Sequence, residues 1–173
     1  TVTKVEGQAV LAVFEQATGQ EARASSIDGR VYFDLGEVKG ARVFLVRSEM
    51  GAEGLGASLQ TVQKGIEALS PSAVILVGIA FGVDPARQDI GDILVSEDLR
   101  CYEPQRVGAP HPIPRGARPD ASPWLLNLLK SAELVWKGAP LRFGVVLSGE
   151  KLIDDLDFRR QVCALEPEAI GGE

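Results

Sequence analysis

The chain is poor in the side chains that most often carry metal and covalent chemistry. It has one histidine, His111, and two cysteines, Cys101 and Cys163. A single imidazole cannot build a histidine metal site, and the two thiols stand far apart with no metal-ligand spacing. No Ser-His-Asp or Cys-His arrangement is visible, and His111, set between Pro110 and Pro112, reads as a loop residue. Long apolar runs are missing too: none approaches the roughly 20 residues that span a bilayer. The N-terminus shows no basic region followed by an apolar one, so no signal peptide is read there. No cluster of Lys or Arg exceeds a pair, the net charge is −6 and the pI is about 4.9. Nucleic acid needs a basic stripe and a membrane needs a span, so neither is expected as a partner. Two unpatterned cysteines without a signal point to a reducing cytoplasm, with a disulfide between them left open.

What is present suits a globular domain. Of 173 residues, 45% are hydrophobic and 24% charged, enough for one domain with a substantial core. "TVTKVEGQAVLAVFEQATG" reads as the tail of a strand and then a helix, with Val10, Val13, Phe14 and Ala17 at helical spacing and Gly19 as its stop. "RVYFDLGEVKGARVFLVRS" reads as a hairpin, Val31 to Leu35 and Arg42 to Val46 around Lys39-Gly40. In the next helix Leu55, Leu59, Val62, Ile66 and Leu69 make one stripe, and Pro71 ends it. "SAVILVG" is unbroken, apolar and β-branched, the pattern of a strand covered on both faces, and "GDILVSE" is another. Glu103 to Pro123, rich in Pro, Gly and Arg, reads as a long loop. Ser122-Pro123 opens a helix that should bury Trp124, Leu125, Leu128, Leu129 and Trp136. "LRFGVVLSG" is a strand, and "DDLDFRRQVCAL" a helix whose early acids and later arginines suit the macrodipole. There is no repeat and no domain-scale linker. Strands alternating with helices predict a single α/β domain over residues 1–173 with a mixed sheet.

Sheets of this kind bind ligands at strand carboxyl ends. Four features stand there. "RSEMGAEGLGA" places Gly51, Gly54 and Gly56 before a helix N-terminus that favours an anion, but glycines for packing account for it equally, and no Walker sequence follows. "GIAFG", framed by Gly78 and Gly82 and followed by Asp84-Pro85, reads by pattern alone as a tight turn between strands. In "LSGEKLIDD", Leu152 and Ile153 lie just past a strand end, as a core cap or as the wall of a planar apolar ligand. The acids Glu6, Asp92, Glu97, Asp98, Glu150 and Glu173 read mostly as solvated surface groups.

Taken together, these segments resemble the purine nucleoside phosphorylase / methylthioadenosine nucleosidase superfamily. "VILVGIAFGVDPARQDIGDILVSEDLRCYE" looks like its central segment, with Gly91-Asp92-Ile93 and its spacing to Gly82 the most specific part. "RSEMGAEGLGAS", "VVLSGEKLI" and "EPEAIGGE" are similar, in order, to its turn before a helix, its strand ending beside the purine, and its approach to Glu-Met-Glu. The resemblance implies a three-layer α/β sandwich around a mixed sheet, cleavage of a purine–ribose bond, no metal and no organic cofactor, with phosphate as a possible co-substrate. It implies a small-molecule purine nucleoside or nucleotide as partner, and a homo-oligomer. By position, Glu6 matches the acid that orients or activates water and Met50 the residue near the ribose. Gly78, Ile79, Ala80, Phe81 and Gly82 match the turn lining base and ribose. Leu152 and Ile153 match the residues that hold the purine, and Glu173 the first acid of Glu-Met-Glu.

Departures refine that expectation. Ile79 stands where the family often has a small residue, and Phe81 where it has Gly, which would reshape the pocket. No arginine precedes the turn, which favours hydrolysis over phosphorolysis, though Arg47 and Arg87 remain open as phosphate ligands. The chain is expected to be an incomplete domain, with a ribose-gripping acid and a purine-protonating Asp beyond Glu173. Two alternatives stay open. One is phosphorolysis, or action on AMP or ATP with Arg106, Arg115 and Arg118 at the phosphates. The other is a nucleoside-sensing module without turnover.

Overall fold

The computed structural model describes residues 1–51, 56–103, 105–106, 113–151 and 153–173. Its contacts divide the chain into two units, Thr1–Ile79 and Ala80–Glu173.

The first unit is a meander with two helices. Helix α1 (Lys4–Thr18) starts on the Thr3 cap and stops at Gly19, which takes the left-handed conformation with φ 67. Strands β1 (Arg23–Ile27), β2 (Arg30–Val38) and β3 (Ala41–Leu45) form an antiparallel sheet in that order. Both hairpins turn on two residues of positive φ, Asp28-Gly29 and Lys39-Gly40. That is the pair of conformations whose twist matches flanking strands, and Asp-Gly favours it. The second hairpin was legible; β1 was not expected, although Asp28-Gly29 marks its end. Helix α2 (Ser58–Leu69) buries Thr61 and sets Gly65 against the ring of Tyr32, itself 1% exposed. The stripe read from the sequence is displaced: Leu59 and Ile66 are exposed, and Leu55 lies outside the described residues. On α1 the inward positions are Gly7, Val10, Leu11 and Phe14, whereas Val13 and Ala17 are exposed.

The second unit holds the mixed sheet. Its order is β4 (Phe81–Gly82), β9 (Ala169–Gly172), β8 (Leu141–Ser148), β5 (Ile93–Cys101). β5 and β8 run parallel from Ile93↔Leu141 to Cys101↔Ser148, and β9 runs parallel to β8 with Gly172 beside Leu147. Cys101, Ser148 and Glu173 therefore lie together at the carboxyl ends of the three parallel strands. β4 runs antiparallel to β9. Residues 117–121 bond along the outer side of β5, through Leu99 N–H to Pro119 O (3.0 Å) and Ala121 N–H to Glu97 O (2.8 Å). The short strands β6 (Gln105–Arg106) and β7 (Ile113–Pro114) pair with each other. Helix α3 (Pro123–Glu133) begins on the Ser122 cap with Pro in its first turn. Helix α4 (Leu156–Leu165) covers a core of Tyr102, Leu147, Val162 and Ala169.

Two expectations are corrected here. Residues 73–80 form no strand, and Val74 to Val77 are 45% to 66% exposed. An unbroken apolar run signals a wish for burial, not a hydrogen-bonding partner, and this one reaches the boundary between the units. Helix α3 buries none of its residues: Trp124, Leu128 and Leu129 are exposed, and so is Trp136 just beyond it. No described helix is long and apolar enough to cross a membrane.

Candidate functional site

In the first unit Glu6 sits in the first turn of α1, and the local sequence explains why. Thr3-x-x-Glu6 is a capping box. Thr3 Oγ1 accepts the Glu6 N–H at 3.2 Å, while Glu6 Oε2 accepts the N–H groups of Val2 and Thr3, both at 2.8 Å. Burial pushes the carboxyl pKa up, but the N–H bonds from Thr3 and Val2 outweigh it and the net shift is downward. The carboxylate is therefore anionic at neutral pH. The residues before α1 are extended and bonded to the segment after β3: Ser48 N–H donates to Thr1 O at 2.9 Å. Met50 follows that segment and is 68% exposed. Backbone bonds from Glu49 N–H to Gly56 O (2.9 Å) and Ser58 N–H to Gly51 O (3.1 Å) close the glycine turn. Gly54 lies outside the described residues.

In the second unit the glycine turn and the strand leading to Glu173 come together. Phe81 pairs with Gly172 and Gly82 with Gly171. The close approach requires both strand glycines. A Cβ on Gly171 would lie 2.4 Å from Phe81 O, and one on Gly172 would lie 2.6 Å from Phe81 Cζ. The Phe81 ring thus fills the space that a side chain at Gly172 would take. Beyond β4 the turn is held by Gln88. Its Oε1 accepts the N–H groups of Val83 and Asp84, both at 2.8 Å, and its Nε2 donates to Ile170 O at 2.7 Å. From α4, Arg159 donates to Gly82 O at 2.7 Å and lies over the Phe81 ring, 5.4 Å from its centroid. The expectation that the α4 arginines serve the macrodipole is corrected: the last turn has no basic residue, and Arg159 is committed to the turn.

Ile153 packs against the core and, with Lys151, Asp154, Asp155 and Phe158, lines a cavity of about 140 Å³. Three contacts hold this loop. Tyr102, 1% exposed, puts its phenol where a Cβ on Gly149 would be. Lys151 Nζ pairs with Glu103 Oε1 at 2.5 Å, and Asp155 Oδ1 caps α4 by accepting the Phe158 N–H at 2.6 Å. The Lys151 bond holds the Glu103 carboxyl below its ordinary value against an opposing push from burial. Leu152 lies outside the described residues, as does His111.

The structure also sorts the remaining acids. Asp92, its side chain 5% exposed, pairs with Arg142 at 3.0 Å and ties the start of β5 to β8. Glu97 pairs with Lys130, and Asp98 with Arg118. Those three read as structural. Arg118 also reaches Glu166 and Arg87 pairs with Asp84, so carboxylates already occupy both arginines. Sequence reading missed Gln88, Arg159, Tyr102 and the Glu103–Lys151 pair, because nothing local marks contacts that span the sheet. The capping box was written in the sequence as Thr3 to Glu6 and could have been found.

The family model described as the phosphorylase superfamily matches residues 8–157. No curated protein matches the chain. Among solved structures, a methylthioadenosine/S-adenosylhomocysteine nucleosidase from Neisseria meningitidis, in complex with methylthio-immucillin-A, is 19% identical. The match covers 99% of this chain and 72% of that one, with a TM-score of 0.77. Futalosine hydrolase of Helicobacter pylori is 21% identical over 99% and 71% of the two chains, with a TM-score of 0.78. A nucleosidase from Colwellia psychrerythraea, in complex with adenine, is 20% identical over 94% and 67%, with a TM-score of 0.71. At these identities the likeness is one of fold. The expected α/β class with a mixed sheet is the one observed. The family model spans most of the sequence, and the chain belongs to the phosphorylase superfamily.

Proposed function

We propose that this protein hydrolyses the N-glycosidic bond of a purine nucleoside, of the adenosine or methylthioadenosine kind. The observation that carries the reading is the glycine turn seated on the strand that ends at Glu173, within a fold shared with nucleosidases crystallised with adenine and a nucleoside analogue. Cleavage passes through an oxocarbenium-like sugar, so it needs a carboxylate beside the attacking water. Glu6 suits that role. It is held anionic by the backbone N–H groups of Val2 and Thr3, both of which bond to Oε2. Ile153 and Phe158 supply an apolar wall for the base beside the cavity. Glu173, at the carboxyl end of β9, is the acid proposed to meet the ribose. Departure of the purine needs a proton at N7, from a carboxylic acid of raised pKa. The described carboxyls of Glu6, Asp34 and Glu103 are all shifted downward, so none of these three is that donor.

The test separates catalysis from capping at Glu6. Glutamine also completes a capping box, so Glu6→Gln keeps the helix start and removes the charge. In the full-length protein, release of adenine from methylthioadenosine should fall by about a hundredfold or more, the usual weight of a general base. The melting temperature should change little. Unchanged turnover rejects Glu6 as the base, and no release by the wild type, with or without phosphate, rejects the reading itself.

A further inference from the structure

We propose that Arg159 is a positioning residue for the nucleoside site, acting through Phe81 and Gly82. The role rests on the nucleoside-cleaving reading above. Three observations converge on it. The half-buried guanidinium donates to Gly82 O at 2.7 Å, across 77 residues of sequence. It also lies over the Phe81 ring at 5.4 Å, and Phe81 in turn covers the bare backbone of Gly172, the residue before Glu173. Finally, Arg159 follows Phe158 on α4, the residue that with Ile153 lines the cavity. One side chain therefore ties the turn proposed for the ribose, and the ring lying on the strand that carries Glu173, to the helix whose preceding residue lines the wall proposed for the base. Among the described residues no ion pair includes Arg159; its charge acts on this backbone carbonyl, this ring and the Cys163 thiol on the same helix. A planar guanidinium can donate in its plane while its flat face lies on the ring, a geometry that an ammonium lacks.

A positioning role predicts a split in the kinetics. A turn that drifts weakens the grip on nucleoside before the chemical step, so KM should carry the effect. Arg159→Met should raise KM by about tenfold, the scale of one lost charge-assisted hydrogen bond. Its kcat should stay within about twofold. Arg159→Lys, which can still reach Gly82 O, should fall between. Phe81→Leu, which keeps apolar volume but removes the aromatic face, should raise KM in the same direction. The double variant Arg159→Met with Phe81→Leu should be no worse than Arg159→Met alone, since both changes break one device.

The experiment measures kcat and KM for adenine release from methylthioadenosine in the full-length protein, and adenine affinity by calorimetry. Wild-type KM in Arg159→Met, or a loss confined to kcat, overturns the role while leaving the nucleosidase reading standing. If the wild type binds adenine without cleaving nucleoside, hydrolysis falls, and the same tenfold is read in adenine Kd. A wild type that neither cleaves nor binds overturns both. Should Arg159→Met fail to fold, Arg159→Lys and Phe81→Leu decide, and wild-type KM in both sinks the proposal.

Discussion

Phe81 and Gly172 exchange volume. From the sequence, Phe81 is, with Ile79, a departure in the glycine turn whose bulk would reshape the pocket. The structure turns the ring towards β9 and α4, where Gly172 has left room for it and Arg159 covers it. The glycine is required by this contact and not by its own backbone, since its φ is not among the positive values. Complementary volumes of this kind are coupled, so the two positions should not behave additively. Gly172→Ala places a Cβ 2.6 Å from Phe81 Cζ and 2.9 Å from Leu147 Cβ. Overpacking of that order should cost about 1–3 kcal/mol. Phe81→Ala removes a half-buried aromatic side chain and should cost about 2 kcal/mol, below the range for a fully buried one. In the Phe81→Ala background the cost of Gly172→Ala should fall by at least about 0.5 kcal/mol. Urea denaturation of the four proteins measures this. Strict additivity would show that the ring and the glycine do not share one space.

The loop between β8 and α4 shows what an element needs beyond its own sequence. Its ends are set locally, by the strand stopping at Ser148 and by the Asp155 cap. Its middle is held by side chains from the end of β5: Tyr102 beneath Gly149, and Glu103 bonded to Lys151. Helix starts and stops were legible for the opposite reason. Gly19 and Ser122-Pro123 act on their own neighbours, and the structure keeps them where the sequence puts them. The faces of the helices were less legible, because a stripe of Leu and Ile at the right spacing does not say which side meets a sheet. On α2 that side carries Gly65, which lies against the Tyr32 ring, and the buried Thr61. The ion pair on the loop leads to a pH prediction. The folded Glu103 carboxyl lies below its ordinary 4.5, so the pair stabilises above that value and the stabilisation is lost as pH falls through the lower folded value. Lys151 is exposed, which keeps the effect small. Glu103→Gln should lower the melting temperature by about 1–3 °C at pH 7. The gap between the two proteins should close below pH 4.5. A gap that persisted undiminished at pH 3 would mean that the charge on Glu103 is not what holds the loop.

At the scale of the molecule, the order of elements was the most legible feature and the partners of those elements the least. Alternating strands and helices with one hairpin led to an α/β class and a mixed sheet; β8 and α4 fell close to their expected bounds, while β5 runs past its expected end to Cys101. The candidate site was legible only in pieces. Glycines mark where backbone must come close, but the residues that hold the turn, Gln88 and Arg159, bond across 82 and 77 residues and carry no local signature. A ligand offers a test at this scale, because whatever binds the folded protein alone must raise its stability. If the site takes a purine, adenine at a hundred times its Kd should add about 2.7 kcal/mol. For a chain of this size that is a rise in melting temperature of about 5–10 °C. Inorganic phosphate is the informative control. Under the hydrolytic reading it should leave both the melting temperature and the rate of base release where they were. A phosphorylase would need it for turnover, and binding of the anion would show as a shift of its own. Adenine without any shift, at concentrations up to its solubility, would remove the purine from the site. A shift with adenine and no base release from any nucleoside would leave a protein that recognises the base and does not cut.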